Sequence, residues 1–244
     1  MTRVFFRVKI LRIKLKMKEG NLIPDQLQLR REQLAQQIAN GAEIEDPAAG
    51  YIICRNVNHL ADPNILINAA EIANGLFLKY LPEELQPDKI IGVPNRGKEF
   101  ATVLGTLIKK PISVGDRSRE DDQNQGFDAY YDEQQDGIII RGIASFTKPG
   151  VKYQHFLRGL RPGDNAVIVD DFSATGKIIE FYLATCNKLG IKPVFLFLIA
   201  KHFLDTNPPQ IGYQTLKKQG IPAFAVVRFT GMENGKVIAT AEDI

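Results

Sequence analysis

Between Asn165 and Lys177 the chain reads NAVIVDDFSATGK, and no other stretch constrains its fold as strongly. Val167-Ile168-Val169 is β-branched and too short for a helix, so it reads as a buried strand. Asp170 and Asp171 follow at its carboxyl end, where open α/β sheets place their ligands. Ser173-Ala174-Thr175-Gly176-Lys177 is a small polar turn. Ile178, Ile179, Tyr182, Leu183, Cys186 and Leu189 then recur at helical spacing until Gly190 stops the run. Strand, small-residue turn and helix together make a phosphate site. Amides freed at the helix start point at the anion, and Gly176 lets the backbone come close. The turn is not a Walker A loop, because Asp171 stands where that motif needs its first glycine and Ile178 follows Lys177. No G-x-G-x-x-G follows a strand. Two carboxylates beside a phosphate turn suit a ligand with a phosphate at one end and vicinal hydroxyls nearby, which describes a ribose 5-phosphate.

The remaining segments alternate strand and helix. Pro24 to Asn40 reads as a helix ended by Gly41, Glu43 to Pro47 as a loop, and Tyr51 to Cys54 as a short strand. Asp62 is an N-cap with Pro63 at the first helical position. Lys89 to Val93 is a second buried strand. It runs into Pro94-Asn95-Arg96-Gly97-Lys98 and a helix from Glu99 to about Ile108. That is another anion-site pattern, in which Asn95, Arg96, Gly97 and Lys98 face a pyrophosphate. Pro111 to Val114 is a short strand. Asp116 to Asp136 is strongly polar and reads as a lid, and residues 116–155 together form a flexible hood hairpin. Pro193 to Ala200 is apolar throughout, as a central strand buried on both faces would be. A helix over Ile211 to Gln219 and strands over Ala223 to Arg228 and Gly235 to Ala241 complete the chain. The pattern predicts an α/β fold: one doubly wound, mostly parallel sheet with helices on both faces and a small hood.

Charge and cysteine content narrow the function classes. Of the basic residues behind the formal charge of +3, seven lie before Glu19, from Arg3 to Lys18, in a stretch that alternates apolar and basic. Residues 1–18 therefore read as an arm outside the core, and residues 19–244 as one mildly acidic domain with no basic stripe for nucleic acid. Cys54 and Cys186 form no C-x-x-C pair, and His59, His155 and His202 do not cluster, which fits a reducing, cytoplasmic setting without a dedicated metal cage. No apolar run reaches the roughly 18 residues of a membrane span.

The acid pair with its Thr/Gly turn resembles the phosphoribosyl-pyrophosphate (PRPP) signature of the type I phosphoribosyltransferases. Further pieces, in order, resemble the xanthine branch of that family, which serves purine salvage: Asn58-His59 with Asp62-Pro63, Ser145-Phe146-Thr147-Lys148, Val169-Asp170-Asp171-Phe172, Lys201 with Phe203, and Glu233-Asn234-Gly235-Lys236-Val237. The resemblance covers residue 31 to the end. It implies that Ser173, Ala174, Thr175, Gly176, Lys177 and Ile178 bind PRPP, and that Asp170 and Asp171 hold the ribose hydroxyls and help place Mg²⁺. It also implies that Tyr51, Asn58 and Lys201 line the purine site, and that the protein is a homodimer. The chain departs from that branch in its phosphate turn, where the xanthine enzymes have Ala-Asn-Gly, and in Pro94 to Gly97, which replaces a Glu/Ser-rich turn. Other bases (hypoxanthine, guanine, adenine or orotate) and a PRPP-sensing regulator remain alternatives.

Overall fold

The computed structural model describes residues 24–241 apart from 59–61, 95, 125 and 146–149. The basic arm, His59, Asn95 and Lys148 lie outside the described residues. In chain order, Pro24–Asn40 is α1, Ala42–Asp46 β1, Tyr51–Cys54 β2, Arg55–Asn58 the one-turn α2 and Pro63–Tyr80 α3. Lys89–Gly92 is β3, Gly97–Ile108 α4 and Ile112–Val114 β4; Asp116–Arg119 is β5, Asp128–Asp132 β6, Gly137–Ala144 β7 and Lys152–Arg158 β8. Asn165–Ser173 is β9, Lys177–Leu189 α5, Lys192–Lys201 β10, Gly212–Lys218 α6, Ala223–Glu233 β11 and Lys236–Thr240 β12.

The main sheet has the order β12-β11-β10-β9-β3-β4. All neighbours run parallel except the last strand, which returns antiparallel on β11. Side chains leave each strand on alternating faces, and that period divides the core in two. Val167 and Val169 of β9, with Leu196 and Leu198 of β10, pack with α1, α3 and α4. Ile168, Phe195 and Phe197 pack on the other side with α5 and α6. A sheet covered on both faces needs continuously apolar strands, so β10 shows no alternation. The doubly wound, mostly parallel sheet is thus as the sequence implies. Asp62 caps α3 by accepting the Asn64 N–H at 2.8 Å, with Pro63 in its first turn.

Strand order reverses between β3 and β9: the chain leaves β3 toward β4, but leaves β9 toward β10 and β11. The crevice outside the carboxyl ends of those two strands is where doubly wound sheets bind ligands. The turn after β3 and the turn after β9 both open into it.

Four local readings change. The stretch expected as a loop at Glu43 to Pro47 is largely β1, paired antiparallel with β2 from Ala42↔Cys54 to Asp46↔Tyr51. Ala42 and Ile44 pack on the core between exposed acids, and the Arg55 guanidinium holds Glu43 at 2.6 Å. Next, β9 continues to Ser173, because β10 pairs with it as far as Ala200↔Ser173. Asp170 and Asp171 therefore lie inside the strand's last four residues rather than after them. Likewise β11 reaches Glu233, extended past Arg228 by the returning β12. Finally, the described strands between Asp116 and Arg158 form a four-stranded antiparallel sheet, β5-β8-β7-β6, instead of a hairpin. Its apolar face, with Ile138, Ile140, Ile143 and Leu157, packs with Ile179, Tyr182 and Cys186 of α5.

Candidate active site

The acid pair is held by its own strand. The Asp171 N–H donates to Asp170 Oδ1, and the Phe172 N–H to Asp171 Oδ1, each at 2.9 Å. Burial raises both carboxyl pKa values, Asp170's well above the ordinary range; the charge of Asp171 adds to that rise, and the Arg96 guanidinium opposes both shifts. Two carboxylates kept this close are relieved by positive charge brought between them. Among the described residues no group of three or more His, Cys, Asp or Glu side chains could hold a metal ion. The pair nevertheless fits Mg²⁺, which takes one or two carboxylates when substrate phosphates complete its shell.

After the pair, Gly176 caps α5 at φ 91°, a conformation glycine adopts without strain. The first turn of a helix leaves its amides without intrahelical acceptors, and here that turn lines the same cavity as the acids. The turn is propped from behind by the start of α6. The Gly212 N–H donates to Ala174 O at 2.8 Å, and a Cβ on Gly212 would stand 2.7 Å from Gly176 Cα. Only glycine at both positions permits that approach.

The turn after β3 is seated in the same way. Val93 N–H donates to Val169 O at 2.9 Å, and a Cβ on Gly97 would fall 2.2 Å from that same oxygen. This brings the start of α4 directly against β9 just before the acids. Arg96 faces the crevice, whereas Lys98 Nζ lies 3.8 Å from the Asp116 carboxylate at the start of the hood sheet. Arg117 of β5, which also lines the crevice, stacks its guanidinium 3.5 Å from the Tyr153 ring centroid of β8.

The far end is made of side chains from distant segments. Lys201, the last residue of β10, is 5% exposed. Its Nζ donates to Gly50 O at 3.0 Å and lies 4.7 Å from the Phe172 ring centroid. Burial lowers its pKa to about 8, with Cys54 and Asp171 acting the other way. The turn between β1 and β2 is clamped by the loop after β10: Asn207 N–H donates to Ala48 O at 2.9 Å, and Gln210 Nε2 to Ala49 O. Tyr51, at the start of β2, is half-exposed at the rim.

These parts enclose a cavity of about 710 Å³. Of the residues proposed from the sequence, Tyr51, Arg96, Asp170, Asp171, Ala174, Thr175, Gly176, Lys177, Ile178 and Lys201 line it. Gly97, Lys98 and Ser173 do not; Gly97 acts as a close-packed backbone seat, and the Ser173 side chain is buried beneath the turn. Asn58 ends α2, but its side chain, like all of Asn95, lies outside the described residues. The sequence reading missed Gly50, Gln210, Tyr153 and His155, and gave Arg117 no firm place; all five line the cavity. Only Arg117, a basic residue opening a polar lid, carried a local signal. No helix of the described residues is long and apolar enough to cross a membrane.

No protein-family model matches the chain. It is 30% identical over 110 residues to a xanthine phosphoribosyltransferase of Streptococcus agalactiae, a match covering 44% of this chain and 54% of the relative. The chain thus spans about half the length of the relatives of that group. A xanthine phosphoribosyltransferase of Oenococcus oeni is 22% identical over 184 residues, 75% of this chain and 79% of the relative. An adenine phosphoribosyltransferase of Salmonella newport is 39% identical over 72 residues, 30% of this chain and 37% of the relative. The crystal structure of a Saccharomyces cerevisiae adenine phosphoribosyltransferase superposes with a TM-score of 0.54 at 14% identity, covering 80% of this chain and 98% of that one. That likeness establishes the fold, and the sequence relatives carry the same family name. The chain therefore has the type I phosphoribosyltransferase fold, and in sequence it is similar to xanthine and adenine phosphoribosyltransferases.

Proposed function

We propose that this protein transfers the 5-phosphoribosyl group of PRPP to a purine base, xanthine in preference, releasing pyrophosphate, as a homodimeric cytoplasmic enzyme of purine salvage. One observation carries the reading: a single cavity joins the Asp170–Asp171 pair, the turn at the start of α5, Arg96, and a buried cation, Lys201, at its far end. The 5-phosphate would sit on the amides of Ala174 to Ile178, and the ribose hydroxyls would meet the two acids. Asn95 and Arg96 would face the pyrophosphate, with Gly97 seating their turn and Lys98 adding positive charge. Tyr51, Asn58 and Lys201 would contact the base.

A ring nitrogen of the base forms a bond to C1 as the bond from C1 to the pyrophosphate oxygen breaks. Positive charge builds on the ribose, and negative charge on the leaving group. Asp170 and Asp171 stabilise the first, Arg96 and Arg117 the second, so catalysis rests on position and charge. Mg²⁺, when bound, would supply further charge stabilisation at the pyrophosphate. The hood sheet lines one wall of the cavity through Arg117, Tyr153 and His155, and its closure over PRPP would exclude the water that hydrolyses it. Xanthine and adenine relatives leave the base open by name, but Lys201 favours an oxopurine: an ammonium bonds more strongly to a carbonyl oxygen that carries partial negative charge than to the neutral ring nitrogens of adenine.

The test is to incubate the protein with PRPP, Mg²⁺ and, separately, xanthine, hypoxanthine, guanine, adenine and orotate, reading nucleotide formation. Nucleotide from an oxopurine supports the reading. A protein that binds PRPP but forms no nucleotide from any base is a sensor, not this enzyme.

A further inference from the structure

His155 of β8 has no part in the mechanism above, yet it lines the cavity while only 2% exposed. We propose that His155 is a binding residue for the pyrophosphate end of the ligand, presenting its Nε2–H as a hydrogen-bond donor beside Arg117, and that Tyr182 of α5 fixes it in that form. The inference rests on the phosphoribosyltransferase reading and adds a residue to it.

The hood sheet places the groups. Arg117 and His155 are direct cross-strand partners, and Tyr153 lies two residues along the same strand. Side chains directly opposite and two apart share one face, so all three point the same way. All three line the cavity, with Arg117 stacked on Tyr153.

Tyr182 decides which ring nitrogen carries the proton. Its hydroxyl lies 3.0 Å from His155 Nδ1, and the residue is 1% exposed. Among the described residues that ring nitrogen is the hydroxyl's hydrogen-bond partner. If Nδ1 carried the proton, the phenol O–H would be a buried donor with no acceptor, which is the costly arrangement. If the phenol donates to Nδ1, both donors are used well: O–H to Nδ1, and Nε2–H free for a ligand. Burial, Arg117 and Lys98 push the His155 pKa down to about 3, so the ring is uncharged at neutral pH. The charged groups around the pair are Arg117 from β5, Lys98 from α4 and Asp170 from β9, the last acting on Tyr182. On the cavity wall, Arg117 and an uncharged donor side by side suit an oxyanion. The bond to Tyr182 also ties the hood sheet to α5, the helix whose first turn forms the phosphate site.

Two measurements test this. Nitrogen-15 NMR reads the tautomer directly, because the chain has three histidines and loss of one signal in His155→Gln assigns it. The expected spectrum shows an Nε2–H imidazole that does not titrate between pH 6 and 8 and shifts on adding pyrophosphate. Calorimetry with Mg²⁺-pyrophosphate, and separately with ribose 5-phosphate, gives the energetics. His155→Leu should weaken pyrophosphate binding about tenfold to a hundredfold, the range for one hydrogen bond to a charged acceptor. Ribose 5-phosphate binding should be unchanged. His155→Gln, whose amide N–H reaches a similar place, should recover most of the loss, and Tyr182→Phe should weaken pyrophosphate binding severalfold by releasing the tautomer. An Nδ1–H or charged ring in the parent overturns the proposal, as does a folded His155→Leu that binds pyrophosphate like the parent. Should His155→Leu fail to fold, the parent's tautomer and the His155→Gln and Tyr182→Phe affinities decide. A parent that binds neither ligand removes the phosphoribosyltransferase reading itself, which is a different result from a silent His155.

Discussion

The two ends of the cavity are built by different means. At the proposed phosphate end the main chain does the work. A strand, a glycine-capped helix start and two close approaches, Gly97 on Val169 and Gly212 on Gly176, leave little for side chains to adjust. At the proposed base end, by contrast, side chains do the work. Lys201 and Gln210 reach back about 150 residues to carbonyls of the β1–β2 turn, fixing a wall that neither segment forms alone. Backbone sites recur because their geometry is general to a fold, whereas side-chain walls change by single substitutions. The phosphate end should therefore be common to many bases, and the base end should choose among them.

Replacing Asp170 and Asp171 together by Asn tests the shared chemistry. The kcat should fall roughly a hundredfold or more, about 3 kcal/mol of transition-state stabilisation, and fall further than PRPP affinity. The same variant carries a stability prediction of opposite sign. A carboxyl whose pKa rises on folding favours the folded state at low pH and disfavours it once ionised. Burial raises both of these, so without ligand the Asn variant should melt higher than the parent at pH 7, and the difference should shrink as the pH is lowered. A variant that keeps the parent's kcat would remove the acids from the mechanism.

Lys201→Met probes the other end. It should raise KM for xanthine by a factor corresponding to about 1.5–3 kcal/mol, the worth of a charge-assisted hydrogen bond, with KM for PRPP little changed. Because the Lys201 pKa lies at about 8, the parent should lose xanthine affinity as pH rises through that value. Comparison with Lys201→Met separates this loss from ionisation of the base itself. Equal losses for both substrates would mean the two ends are not independent.

Gly212→Ala reverses the pattern. Its new Cβ must displace the turn at Gly176, a strain of about 1–3 kcal/mol, so PRPP binding should weaken while base discrimination persists. The smallest effect should come from Gln210→Ala, which removes one hydrogen bond to Ala49 O, of net worth about 1 kcal/mol. It should raise KM for the base severalfold and leave kcat unchanged. A PRPP effect as large as the base effect would show that the clamp supports the whole cavity.

This division also explains what the sequence revealed. The phosphate end is local: thirteen consecutive residues, Asn165 to Lys177, carry strand, acids, turn and helix start, and all can be read in place. The doubly wound sheet was legible for the same reason, since Ala166 to Val169 of β9 and Pro193 to Ala200 of β10 are unbroken apolar runs. Gln210 and Gly50 were not legible, because nothing near either residue announces a partner some 160 positions away. Gly212 falls unremarked within the helix expected over Ile211 to Gln219; only its contact with Gly176 explains the missing side chain. The hood was read by its polar stretch, Asp116 to Asp136, whereas the ordered sheet depends on the packing of Ile138, Ile140 and Ile143 with α5. His155 and Tyr182 meet only once that packing exists.

Base choice by the side-chain end is the central claim, and one competition measures it. Equimolar xanthine and adenine are given to the parent protein with limiting PRPP and Mg²⁺, and the two nucleotides are quantified in the same tube. Their ratio is the ratio of kcat/KM values, independent of enzyme concentration. The account predicts that the xanthine nucleotide dominates and that Lys201→Met brings the ratio toward one. A product made mainly from adenine, or a ratio unmoved by Lys201→Met, would contradict it.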